Sequence, residues 1–464
     1  MHADPVVDAT RAFLDELMPI LKERCPEDED QAIEVPSLSR WILELDMGHA
    51  MRRYRAVPVL FTAEQQCAAR LLGEFREAGY AALVALDSAL AADPIVGPRI
   101  AGESLVSFGA GGGAFQGPGL IQLLVDVAFS EGVAHGGHEA LATRWVEFLR
   151  RPSDRVTAVI ALREFEISTV PFALEPDLII DELSEAEVAV AVRFGGGLKG
   201  LSADERMVAR TFAIKTTFES RVFVGDVPIA EHPREQAARE KAEAQAALAL
   251  RALQVFKRGR VSASATFQYT ARFGDETTPV QGSVGPGFGW HAAEPYVLDD
   301  GEAAGFRDFW LAFKETHARP AIASALRRFN FAAERGLPDD EIVDLMIAAE
   351  ALFLKEIDER YRGELSYRLG LRAASLLGRT LDERLRLFKF MRRAYDARSV
   401  VVHGGVHSGD DLMRLDGSPA TVHEFADDLE GIVREALQRA IRSLAQGEAF
   451  PPAWEELVLA GPTG

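Results

Sequence analysis

The chain has 464 residues, 48% hydrophobic and 26% charged, the profile of an ordinary soluble globular protein long enough for two or three domains with buried cores. Its formal net charge of −20 argues against a protein that coats nucleic acid non-specifically, because phosphate binding needs local cation density. Two cysteines, Cys25 and Cys67, show neither CxxC nor zinc spacing and predict reduced thiols in a cytoplasmic protein rather than a disulfide scaffold.

In chain order, the opening MHADPVVDATRAFLDEL lacks the basic and apolar regions of a secretory signal, and no apolar run is long enough to span a bilayer. A soluble, non-secreted chain without membrane association is therefore expected. Residues 1–150 read as mainly helical. VVDATRAFLDELMPILKERC and TAEQQCAARLLGEFREAGYAALVALDSALAA combine good helix formers with apolar residues at helical spacing. The Gly-rich FGAGGGAFQGPG, Phe108 to Gly119, interrupts them before LIQLLVDVAF. Gly109, Gly111 and Ala114 spell GxGxxA there, but the region upstream is helical and no Lys-Ser/Thr follows, so a loop is expected. His135 and His138 stand close together without completing HExxH.

From 155 to 228 the composition turns β-branched and aromatic. RVTAVIALREFEIS, AEVAVAVRFG and TFESRVFVG are expected strands. PREQAAREKAEAQAALALRALQVF, Pro233 to Phe256, predicts a long helix, and RVSASATFQYTARF a further strand. The Gly/Pro-rich TTPVQGSVGPGFGW reads as the loop or linker before the C-terminal part.

From about Asp300 the pattern is purely helical, with a helix pair over roughly 303–335 leading in. Apolar stripes fall on Ile342, Met346, Ala349, Phe353 and Ile357; on Leu365, Leu369, Ala373 and Leu376; on Leu381, Leu385, Phe388, Met391 and Tyr395. A fourth runs through Phe425, Leu429, Ile432, Ala436 and Leu444. Short loops with Gly or Asp join the first three, as between antiparallel bundle neighbours. The expected fold class is mixed: an α/β (α+β) region over 1–300, an all-α helical bundle over 303–448, and a tail over 449–464.

Charge is unevenly spread along this plan. Residues 321–448 hold 19 Lys and Arg against 22 Asp and Glu, so most of the acidic excess lies elsewhere. Within 360–398, eleven basic residues (ten Arg and Lys389) stand against four acidic ones. Such a run reads either as a solvated bundle face or as an RNA path, with Lys389, Arg392 and Arg393 as RNA-binding candidates.

Chemistry concentrates in YDARSVVVHGGVH, Tyr395 to His407, where Arg398 and His403 bracket Ser399 and three valines. On one continuous helix, five residues leave two side chains about 140° apart. Convergence therefore needs a reaching arginine, a helix that ends near His403, or a second copy of the motif. Gly404-Gly405 supplies the ending, since glycine accepts the left-handed conformation that closes a helix. Histidine titrates near neutral pH and can move the proton of a ribose 2′-hydroxyl, while a guanidinium can hold the scissile phosphate. The alternatives are a helix-terminal histidine packed on the bundle and an ion pair of Arg398 with Asp396. Glu350 would pair with Arg368 or Arg372, or orient the Arg–His couple; Tyr395 would pack in the core. His403 and His407 form HxxxH, but glycines lie between them and no third ligand is near; neither a metal nor a cofactor is expected.

IVDLMIAAEALFL, ELSYRLGLRAASLLG and FKFMRRAYDARSVVVHGG, taken in order and spacing, resemble the Apea-like branch of the HEPN superfamily over about residues 305–447. That resemblance implies a homodimer in which two copies of the motif meet near a twofold axis as a composite, metal-independent endoribonuclease site. It makes the C-terminal part an Apea-like HEPN helical bundle, with Arg398 the phosphate-binding cation and His403 the acid–base residue. It also implies a setting of phage defence, abortive infection or toxin–antitoxin systems, with RNA (tRNA included) as substrate and an antitoxin or phage-derived trigger as partner. Many active members place Asn, Asp or His right after the arginine; here Ser399 stands, with a hydroxyl to hydrogen-bond. Some members only bind RNA or proteins, so a non-catalytic dimeric scaffold or regulatory sensor is the alternative.

Overall fold

The computed structural model describes residues 4–25, 33–46, 52–61, 63–101, 106–107, 114–115, 117–131, 137–193, 198–199, 205–208, 211–224, 233–259, 261–273, 275–284, 296–333, 335, 337–355, 364–405 and 412–460. The first half holds α1 (Pro5–Arg24), β1 (Ile33–Asp46), β2 (Arg52–Phe61), α2 (Ala63–Glu77), α3 (Ala81–Ala92), α4 (Val96–Ile100), β3 (Val106–Ser107), β4 (Ala114–Phe115), α5 (Gly117–Glu131) and α6 (Gly137–Arg150). Then come β5 (Ser153–Arg163), β6 (Phe165–Ile167), β7 (Phe172–Glu175), β8 (Leu178–Glu182), α7 (Glu185–Arg193), β9 (Leu198–Lys199), β10 (Glu205–Val208), β11 (Phe212–Arg221) and β12 (Phe223–Val224). They are followed by α8 (Pro233–Phe256), β13 (Ser262–Arg272), β14 (Asp275–Val284) and β15 (Tyr296–Leu298). The C-terminal series is α9 (Asp300–Thr316), α10 (Ala323–Ala333), α11 (Pro338–Phe353), α12 (Leu365–Leu377), α13 (Leu381–Val402), α14 (Val422–Ala445) and α15 (Trp454–Leu459). The fold is thus mixed helix and antiparallel sheet. Contacts divide the chain into one unit of Met1–Leu162, Val170–Ala246 and Ala263–Trp290, and a second of Arg163–Thr169, Ala247–Ser262 and His291–Gly464.

In the first unit, α1, α2, α3, α5 and α6 bury Phe13, Leu17, Leu86, Leu124 and Trp145 in one apolar core. The Asp4 carboxylate accepts the Val6 and Val7 amides and caps α1, and Arg150 of α6 donates to both Asp4 and Asp93. The two cysteines are not free thiols. Cys25 at the end of α1 is disulfide-bonded to Cys67 of α2 across 42 residues, with Cα atoms 5.5 Å apart. Such an approach depends on how two helices pack, which cysteine spacing in a sequence does not encode.

Three further expectations are corrected here. The mainly helical 1–150 contains an antiparallel hairpin, β1 with β2. Its strands carry Pro36 and Pro58, which normally count against strands; the register jumps between Val35 and Ser39, where Pro36 lies, and Ser39 pairs with Pro58. AEVAVAVRFG forms helix α7 rather than a strand. Ser184 and Glu187 cap it reciprocally, the Ser184 amide donating to the Glu187 carboxylate at 2.8 Å and the Glu187 amide to the Ser184 hydroxyl at 3.2 Å, so a capping box outweighed β-branched propensity. TTPVQGSVGPGFGW is not all linker: its 277–284 part lies in β14, the edge of a six-stranded sheet ordered β14-β13-β5-β11-β8-β7. An edge strand tolerates Pro279 because one side of its backbone needs no ladder partner. The rest of that stretch lies outside the described residues, as do Gly109 and Gly111; β3 and β4 flanking them pair antiparallel rather than in a βαβ unit.

A buried ionic cluster pins α7 to this sheet. The Lys215 ammonium donates to Glu187 and to the Glu182 carbonyl, both at 2.8 Å, and the Tyr269 hydroxyl donates to Glu187 at 2.7 Å. Burial, then the Glu187 charge, pushes the Tyr269 phenol upward, so it stays a neutral donor.

The second unit opens on a parallel ladder of β6 with β15 and continues as helices. Phe306, Trp310, Phe313, Phe329, Phe353 and Phe390 are fully buried in it. Capping boxes start α9, α13 and α14 at Asp299/Glu302, Thr380/Glu383 and Thr421/Glu424. The expected stripe on α13 is displaced: Leu381 and Leu385 are exposed, while Leu387, Phe390, Met391, Ala394 and Ala397 are buried. Nor is 449–464 merely a tail. Trp454 of α15 is buried, with its ring 5.9 Å from that of Phe353 and Arg372 5.1 Å above it. Ile357 lies outside the described residues. Among the described residues no helix is long and apolar enough to cross a membrane.

The Cys25–Cys67 link closes a loop of sequence separation 42, for which chain entropy gives about 4 kcal/mol, with about 2–4 kcal/mol usual in practice. Cys67→Ser, or reduction, is expected to lower first-unit stability by that amount. Denaturant unfolding with and without dithiothreitol measures it.

Candidate functional site

Helix α13 places the Arg–His motif. It begins at the Thr380/Glu383 box, runs unbroken to Val402, and has His403 as its C-cap. The ending is a Schellman closure: the Gly404 amide donates to the Val401 carbonyl and the Gly405 amide to that of Val400, both at 2.9 Å. Gly404 has φ +75°, and a Cβ on Gly405 would sit 2.7 Å from Val400 Cγ1. Each glycine is needed for a different reason, one for conformation and one for room.

With the helix continuous, Arg398 and His403 diverge by about 140°. Arg398 follows the side of Met391 and Ala394, which are buried, and is half-buried itself. Its Nε is buried without a hydrogen-bond partner among the described residues. His403 is exposed at the helix end, away from the bundle core. Ser399 is half-buried between them. The valines are not a piece of core: Val400 and Val402 are 38% and 54% exposed, and Val401 is half-buried.

The supporting residues sort themselves around this axis. Glu350, in the last turn of α11, is half-buried; burial pushes its carboxyl upward, and the Arg398 charge opposes the shift. Arg372, one of the two partners expected for Glu350, donates to the Phe353 carbonyl at 2.6 Å. Tyr395 is half-buried and Asp396 exposed; two residues apart on a helix, Asp396 and Arg398 point about 160° from each other. Lys389 and Arg392 are exposed and Arg393 half-buried. His138, the described member of the HGGH pair, meets Asp15 at 2.7 Å. His135 and His407 lie outside the described residues, among which no group of three or more His, Cys, Asp or Glu could hold a metal ion.

At the opposite end of α13 lies a groove of about 740 Å³ that includes Arg258, Arg386, Leu387, Arg414, Asp428 and Ile432 in its lining. Sequence reasoning did not find it, because its walls come from four separate stretches of chain. Its charges already neutralise one another: Arg258 meets Asp427 at 3.0 Å and Arg414 meets Asp428 at 2.9 Å. Neither Arg398, Ser399 nor His403 lines it.

No family model matches the chain, and no curated protein or solved structure is similar to it. The end of α13 offers an exposed imidazole and, among the described residues, a guanidinium with an unpartnered buried nitrogen beside a carboxyl of raised pKa.

For that carboxyl the linkage has a definite sign. Burial outweighs the Arg398 attraction, so above the ordinary value of 4.5 the folded chain holds the Glu350 proton longer than the unfolded one. Stability contributed by Glu350 therefore falls as pH rises through the window from 4.5 to its raised value. Glu350→Gln is expected to abolish that decline and to be the more stable protein at neutral pH. Urea unfolding across the window checks it.

Proposed function

We propose that the C-terminal helical part is a metal-independent endoribonuclease of the Apea-like HEPN type, and that it acts as a homodimer in a cytoplasmic phage-defence, abortive-infection or toxin–antitoxin setting. The observation that carries the reading is the arrangement at the end of α13. His403 is solvent-exposed, and Arg398 keeps a buried Nε without a partner among the described residues, five residues earlier and within reach of the Glu350 charge.

In the reaction, His403 takes the proton of a ribose 2′-hydroxyl as the oxygen attacks the adjacent phosphorus. The new O2′–P bond forms while the P–O5′ bond breaks, and the 5′-oxygen takes a proton from a second imidazole or from water. The products are a 2′,3′-cyclic phosphate and a 5′-hydroxyl. Arg398 holds the phosphate oxygens and stabilises their added charge, Ser399 orients the nucleotide, and Glu350 holds the guanidinium. Because Arg398 and His403 diverge on one helix, the second copy of α13 supplies the missing half of each site. Lys389, Arg392 and Arg393 guide the RNA strand, tRNA being one candidate. The first unit would select the substrate or sense the trigger.

A specific observation favours a second reading, a non-catalytic dimeric RNA- or protein-binding scaffold: Ser399 follows the arginine, and one chain alone does not bring its Arg and His together. The two readings part in one assay. Full-length protein incubated with total RNA or tRNA in excess EDTA should cleave. His403→Ala should lose about 10²–10⁴-fold and Arg398→Ala about 10²–10³-fold. Retained RNA binding with no cleavage above these variants, in the presence of the trigger, selects the scaffold. Cleavage abolished by EDTA rejects the metal-free mechanism.

A further inference from the structure

Helix α13 has a second exposed feature, on the face that carries His403. The exposed Tyr367 of α12 (47%) meets the Phe388 ring edge-on, with centroids 5.3 Å apart and planes at 81°. The Arg392 guanidinium lies 5.6 Å over the same Phe388 ring. Gly370 leaves room for this assembly. A Cβ there would stand 3.0 Å from the Phe388 carbonyl oxygen, 3.1 Å from its ring and 3.3 Å from Arg392 Cγ, so a larger residue would crowd both side chains where they lie on α12.

Helical geometry relates this cluster to the motif. From Arg392 to His403 is eleven residues, which returns to the same face within about 20° and advances roughly 16 Å. Phe388 lies about 22 Å from His403 along the axis. At the 3.4 Å rise of stacked nucleotides the interval is about five to seven nucleotides, and fewer for an extended strand.

The surrounding charge is mainly basic, although Arg386 pairs with Asp382 at 3.1 Å and the exposed Asp396 stands one turn beyond Arg392 on α13. No Asp or Glu occurs between Leu365 and Leu381 or between Arg384 and Tyr395, while these stretches hold Arg368, Arg372, Arg379, Arg384, Arg386, Lys389, Arg392 and Arg393. A cation over an aromatic ring beside an exposed tyrosine, in a basic strip of a chain with net charge −20, has the ingredients of a single-strand platform: a π-face for a base and cations for its phosphates.

We propose that Tyr367, Phe388 and Arg392 form a nucleobase-stacking subsite that seats one unpaired base of an RNA strand several nucleotides from the phosphate at His403. The proposal rests on the ribonucleic-acid reading of the α13 motif and adds to it a requirement for unpaired substrate. Tyr367 offers its ring to the base, Phe388 supports that ring from the side, and Arg392 holds the adjoining phosphate.

The test is binding by full-length protein in the His403→Ala background, read by fluorescence anisotropy. The probes are a labelled single-stranded oligoribonucleotide of about twelve nucleotides and an abasic strand of the same length, enough to cover the interval. Tyr367→Ala should weaken binding of the base-bearing strand about tenfold, within the loss expected for one base stack, and Tyr367→Phe should restore it. Neither change should affect the abasic strand. Arg392→Ala should weaken both strands and reduce the slope of log affinity against log salt by about 0.7, one phosphate contact. Equal affinity of the parent protein for the two probes overturns the subsite, as does indifference to Tyr367→Ala. If Tyr367→Ala alters sedimentation of the protein but not RNA affinity, the face belongs to a protein partner and the proposal is overturned as well. Tyr367-dependent binding without cleavage by the unsubstituted chain supports the subsite while rejecting the nuclease reading, so the two failures remain distinct.

Discussion

An uninterrupted α-helix turns 100° per residue, and this rotation governs what α13 can do. Because the helix has no break between Leu381 and Val402, Arg398 is committed to the bundle side and His403 to solvent. The inward group finds a counter-charge in Glu350; the outward group stands beyond the last helical turn. Any chemistry that uses both on one phosphate must bring the arginine around the helix or draw the second group from another copy. The Gly404–Gly405 closure is what frees His403 from a further turn that would carry the chain onward.

The same rotation separates α13 into a packing face and an outer face. Leu387, Met391 and Ala394 fill the bundle. About a third of a turn away run Phe388, Arg392, Ser399 and His403, with Tyr367 of α12 against the first of them. The apolar stripe expected from Leu381, Leu385, Phe388, Met391 and Tyr395 mixes the two faces. Leu381 and Leu385 are apolar yet exposed, and a hydrophobic pattern alone does not distinguish a residue facing a core from one facing solvent beside it.

Helices with strong local signals were legible in the sequence. The series α9 to α14 and the long α8 carry amphipathic spacing, and reciprocal boxes such as Thr380/Glu383 mark three starts. Elements whose stability comes from partners were not. The β1–β2 hairpin contains prolines, and β14 contains Pro279; both persist because neighbouring strands supply the register. Helix α7 looked like a strand from Val188, Val190 and Val192, although Ser184 and Glu187 were a readable start signal. Trp454 was an overlooked anchor: a large aromatic in a supposed tail had to find a surface, and it found Phe353 and Arg372.

The sequence by itself determined where α13 ends, that its last turns carry Arg398, Ser399 and His403, and that five residues separate the two charged groups by most of a half-turn. These follow from local rules: glycine conformations, capping, and a fixed rotation per residue. Only the tertiary structure decided which face of α13 the bundle covers, that Glu350 of α11 comes within reach of the Arg398 charge, and that Cys25 and Cys67 meet. Those outcomes depend on distances between segments remote in the chain, set by how whole helices pack, and no local pattern of residues carries that information.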